Sequence, residues 1–160
     1  MLEIVNSTTG LIHLVSSCFA LFFGTITLVL TKGTKAHRMI GYLYVGSMFI
    51  LLLSAFLIYD LFGGFGIFHV AAIISTFTLA IGMIPAIRRK RPDWPVVHFS
   101  WMYWSVIGLY AAFVSEMFTR YIPRDFFTLV GLGTGLVMLV GGICFYMKLK
   151  IWKEQYSSWK

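Results

Sequence analysis

Leu11–Thr31 reads LIHLVSSCFALFFGTITLVLT, 21 residues without a Lys, Arg, Asp or Glu. A helix of about 20 residues is about 30 Å long, the thickness of the hydrocarbon core of a bilayer. Lipid offers no hydrogen-bond partner, so each N–H and C=O in such a run must be satisfied inside it, as in a helix. Four similar runs follow: Met39–Tyr59, Ile67–Ile87, Val96–Phe118 and Phe126–Met147. Each is 21 to 23 residues long. The links between them are short, so successive helices should be antiparallel neighbours. The expected fold is all-α integral membrane, with five transmembrane helices in a single transmembrane domain. Helices one to four are expected to form an antiparallel four-helix bundle, with helix five packed outside it. Residues 148–160 are expected to form a Lys-rich cytoplasmic tail.

Composition supports this reading. Of 160 residues, 59% are hydrophobic and 12% charged, against about 45–50% and about 25% in soluble domains. A water-soluble globule and a disordered chain are both excluded. The net charge of +7 does not point to nucleic acid, because the cations lie between the apolar runs. Eleven of the 13 cations fall on one side: Lys32, Lys35, Arg38, Arg88, Arg89, Lys90, Arg91, Lys148, Lys150, Lys153 and Lys160. Arg120 and Arg124 fall on the other. The positive-inside bias then puts the N-terminus outside and the C-terminus in the cytoplasm. Tyr59, Trp94, Tyr121 and Trp152 fall near expected boundaries, where interfacial aromatics gather. Cys18 and Cys144 lie inside apolar runs at different depths, which argues against a disulfide. The first ten residues, MLEIVNSTTG, show no cationic n-region, so the first span is read as retained.

Four histidines carry the functional signal. His13 and His69 lie near the outer ends of spans one and three; His37 and His98 lie near the inner ends of spans two and four. In an up-down-up-down bundle, spans one and three share one diagonal, and two and four the other. The histidines thus resolve into one expected pair at each membrane face. Haem iron takes axial ligands from opposite faces of a flat ring, and a diagonal leaves room for that ring. The expected cofactor is haem b, one or two copies, with iron held by His13 and His69 and by His37 and His98. No Cys-x-x-Cys-His occurs, so covalent c-type attachment is excluded. Lys35 and Arg38, with Lys32 and Arg88, are candidate partners for the haem propionates.

Steps of three or four from each histidine meet small or hydroxyl-bearing residues. The series are Ser17, Ala20, Gly24, Thr27 and Thr31; Gly41, Tyr44 and Met48; Ala72, Thr76 and Ala80; and Trp101, Ser105, Gly108, Ala112 and Ser115. Such stripes permit close helix packing or a bound planar group. Glu116 lies 18 residues after His98, five helical turns on, and so shares its face. It is the candidate outer-face proton or substrate group; an i,i+4 pair with Arg120 is the structural alternative. Helix five has no histidine. Its Gly131-xxx-Gly135 spacing and Gly141-Gly142 suggest packing on the core or a homodimer.

The histidine pattern resembles the four-helix core of the transmembrane di-haem cytochromes b of the ascorbate-reducible, b-561 type. That resemblance covers Leu11–Phe118 in pattern only, and with five helices rather than six their substrate sites do not carry over. The segments Lys35-Ala36-His37-Arg38-Met39-Ile40-Gly41-Tyr42 and His98-Phe99-Ser100-Trp101-Met102 resemble an uncharacterised bacterial membrane family, domain of unknown function 2306. It implies the architecture and a bacterial inner-membrane location, and no activity.

Three functions are compatible with these residues. The first is a cytochrome b-like oxidoreductase carrying electrons between the two faces. The second is a haem-sensing membrane protein acting through a partner protein. The third is a haem-free, proton-coupled transporter using the same histidines. Orientation has a direct test: in a cysteine-accessibility scan of intact cells, positions 88–91 should be protected from an impermeant reagent.

Overall fold

The computed structural model describes residues 7–59 and 63–157, with side chains to Glu154. The expectations for the first six residues and for Lys160 lie outside the described residues. Five helices follow in order: α1 (Thr8–Val29), α2 (Lys35–Ala55), α3 (Ile67–Arg88), α4 (Trp94–Tyr121) and α5 (Phe126–Ser157). Each is long and apolar enough to cross a membrane. No strand occurs among the described residues.

Helix starts are set by local polar groups. Ser7 Oγ accepts the Gly10 N–H and Thr34 Oγ1 accepts the His37 N–H, satisfying donors that the first turn leaves open. Asp125 does the same for α5, accepting the N–H and hydroxyl of Thr128. These bonds favour the carboxylate and hold Asp125 below its usual pKa. At the end of α1, Lys32 Nζ donates to the carbonyls of Thr27 and Leu28, a cation on open C-terminal acceptors. Gly33 then turns the chain with φ of 80°, a conformation that favours glycine.

Two boundaries differ from expectation. α2 starts and ends about one turn earlier than Met39–Tyr59. Thr34 starts it early, and Phe56 and Tyr59 leave the helix to pack on the His69 ring. Lys35 and Arg38 therefore lie in the first turn of α2 rather than in the connection. The stretch 148–157, expected as a tail, continues α5. It contains no Gly or Pro to stop the helix, and Trp152 docks on Phe99 with ring centroids 3.7 Å apart.

The chain divides into two compact units, Met1–Thr76 and Phe77–Lys160, with the boundary inside α3. In the first, α1 buries Ser16, Ala20, Gly24 and Thr27, and α2 buries Tyr44, Met48, Leu51 and Leu52. The small stripe below His13 is thus a buried face, with Ser16 more deeply set than Ser17. The hydroxyls of Ser16 and Thr27 donate to carbonyls one turn back, so they add no unsatisfied group to an apolar interface.

In the second unit, α4 and α5 form an antiparallel hairpin. Its contact glycines are Gly133 and Gly141, not Gly131 and Gly135. A Cβ at 133 would lie 2.9 Å from Ser115 Cα, and one at 141 would lie 2.7 Å from Ile107 Cγ2. Nothing lies within 4 Å of a Cβ at 131 or 135. The spacing of the glycines was legible; which pair faces α4 depends on helix rotation. Polar bonds close the same seam: Tyr103 Oη donates to the Gly141 carbonyl at 2.7 Å, and Ser115 Oγ lies 3.0 Å from Thr134 Oγ1. On α4 the expected stripe holds at Ser105 and Ser115, whereas Trp101 is exposed. On α3, His69, Ala72, Leu79 and Gly82 are buried and Thr76 is exposed.

Gly133→Ala should destabilise the protein by about 1–3 kcal/mol, because the clash is with backbone that cannot turn aside. Gly131→Ala should be neutral or slightly stabilising. Thermal unfolding of both variants in the same detergent checks the assignment.

Candidate functional site

All four histidines sit in the first two turns of their helices. His13 is the sixth residue of α1, His37 and His69 are the third of α2 and α3, and His98 is the fifth of α4. The partner of one ring nitrogen decides which nitrogen keeps a lone pair.

His13 Nδ1 lies 3.1 Å from Ser54 Oγ. That hydroxyl also lies 2.8 Å from the Leu51 carbonyl, so it bridges the ring to its own helix. His98 has a partner that can only accept: its Nδ1–H donates to the Gly82 carbonyl at 2.8 Å. Gly82 brings α4 close at this point: it has no side chain, and a Cβ there would lie 2.8 Å from Met102 Sδ.

His69 is the opposite case. The Gly66 N–H donates to its Nδ1 at 3.1 Å, as a third-position side chain reaches back to a helix cap. Because Nδ1 accepts, the ring proton sits on Nε2, which is buried with no hydrogen-bond partner. The ring lies against Tyr59 and Phe65, with centroids at 4.8 and 5.0 Å and near-parallel planes. His69 is 5% exposed. His37 is half-buried, its backbone N–H capped by Thr34.

An axial ligand to haem iron offers one ring nitrogen's lone pair while the other donates N–H to a carbonyl or similar acceptor. His98 fits that requirement, and His13 fits it in the tautomer that donates to Ser54. His69 does not fit as it stands, because its Nε2 carries the proton and aromatic rings cover its faces.

The charged candidates divide in the same way. Lys35 and Arg38 are exposed in the turn that holds His37. Lys32 is engaged in capping α1. Glu116 accepts from Arg120 Nε at 3.1 Å, one turn along α4, so its carboxylate is in an i,i+4 ion pair. Among the described residues, no three His, Cys, Asp or Glu side chains gather as a metal cluster would require. Ser54, Gly66 and Gly82 bond the histidine rings and were not singled out from sequence. Nothing local in the sequence marks Ser54, Gly66 or Gly82 for these roles.

This is an integral membrane protein in which the imidazoles of His13, His69 and His98 are hydrogen-bonded near helix starts. The chain belongs to the family described as predicted membrane protein (DUF2306), which matches residues 10–151. No curated protein and no solved structure matches it.

The capping role of His69 has a specific signature. His69→Gln keeps an acceptor for the Gly66 N–H and should retain most of the stability, whereas His69→Ala should lose about 1 kcal/mol or more. Thermal unfolding of the two variants measures the difference.

Proposed function

We propose that the chain is a haem-b-binding protein of a bacterial inner membrane that carries electrons between its two faces, N-terminus outside and C-terminus in the cytoplasm. The observation that supports it is the Nδ1–H that His98 gives to the Gly82 carbonyl, beside the Nδ1 bond of His13 to Ser54 Oγ. Haem b, when bound, supplies a one-electron redox centre inside an apolar medium. Ser54 orients the His13 ring, and the Gly82 carbonyl orients that of His98. Lys35 and Arg38 supply cations beside His37, suited to anionic propionates. The pairing of His37 with His98 rests on the order of the spans in the sequence. His69 becomes a ligand only by releasing Gly66 and moving its proton from Nε2 to Nδ1.

The hydrogen bonds themselves favour a second, haem-free reading. His13 ties α1 to α2 and His98 ties α3 to α4, while His69 caps α3, so each ring has structural work without iron. An absorbance spectrum with a haem-to-protein ratio separates the readings. Protein purified from haem-replete cells should show a Soret band and sharpened visible bands on reduction. His98→Ala and His13→Ala should each lower the ratio. A colourless preparation, or a ratio unchanged in both variants, selects the haem-free reading.

A further inference from the structure

Gly131 and Gly135 do not pack on α4, so the face of α5 that carries them faces elsewhere. Steps of three and four along it run Gly135, Leu139, Gly142, Tyr146, Lys150 and Lys153. Gly142 leaves a notch in this face; the nearest atom to a Cβ there is Trp104 Cη2, at 3.9 Å. Around it lies a shallow hollow of about 390 Å³, lined by Met138, Leu139, Gly142, Ile143, Tyr146 and Met147. Residues 138–147 cover about 14 Å of helix at 1.5 Å each, close to the roughly 15 Å of one leaflet. The hollow is apolar along this length and ends at two exposed lysines. Trp152, packed on Phe99 and Tyr103, keeps the helix formed through that point, so the lysines are held at its mouth rather than on a loose tail. Glu154, one turn after Lys150, is the carboxylate at the edge of this face.

We propose that this face binds one phospholipid with an anionic headgroup. An acyl chain lies in the hollow beside Gly142, and the phosphate meets Lys150 and Lys153. Surface cations at this depth attract anionic lipid at about 1 kcal/mol each, and a shallow apolar hollow below them favours a lipid over a soluble anion. A second copy of the chain is the less favourable occupant. Two copies in one membrane, related by a two-fold axis, would bring each α5 alongside its counterpart in parallel. Lys150 and Lys153 would then meet their own equivalents, like charge on like charge.

Native mass spectrometry of the detergent-solubilised chain tests this, with phosphatidylglycerol and phosphatidylcholine of identical acyl chains added separately. Phosphatidylglycerol should bind about thirtyfold more tightly. The double variant Lys150→Gln, Lys153→Gln should bring the two lipids to parity. Gly142→Leu, which fills the hollow at a half-buried position where a Cβ meets only ordinary contact, should weaken both. Equal binding of the two lipids by the unaltered chain would overturn the proposal, as would a preference that survives the double variant. A dimer that Gly142→Leu breaks would assign the face to a second copy instead.

Discussion

A peptide group in hydrocarbon has a donor and an acceptor and no water to meet either. That constraint makes each apolar run a helix, and it governs what happens where helices end or touch. Every polar group near an end needs an internal partner, and the chain supplies them locally: Ser7, Thr34 and Asp125 at helix starts, Lys32 at the end of α1. The histidines obey the same demand. Their Nδ1 atoms bond a serine hydroxyl, a glycine N–H and a glycine carbonyl.

Close approach is the second consequence. Lipid tails are as apolar as leucine, so helices gain little by burying hydrophobic side chains against each other and associate through packing and polar bonds. The α4–α5 seam shows both. Gly133 and Gly141 let the backbones meet, and Tyr103, Ser115 and Thr134 bond across the gap. Large side chains such as Phe22, Phe49, Phe77 and Leu139 are left exposed, the reverse of a water-soluble domain.

The same bonds decide what each imidazole can do. A ring that donates from Nδ1 presents a basic Nε2; a ring that accepts at Nδ1 presents an N–H. His98 belongs to the first kind and His69 to the second, although the two look alike in sequence. One carbonyl and one amide make the difference.

The run of 21 uncharged residues from Leu11 to Thr31, and its four counterparts, determined the helical class and the number of spans, because hydrocarbon permits no other backbone. The small stripe below His13 and the buried Tyr44 and Met48 were legible for the same reason: a helix has a fixed period. What periodicity does not contain is rotation about the helix axis and contact between distant residues. Only the tertiary structure decided that Gly133 and Gly141, rather than Gly131 and Gly135, face α4. It also decided that α5 continues past Met147, because Trp152 finds Phe99. Above all it decided the partners of the histidines, since Ser54 lies 41 residues from His13 and Gly82 lies 16 from His98. A tautomer is set by whichever partner the fold delivers, and no local pattern records that partner.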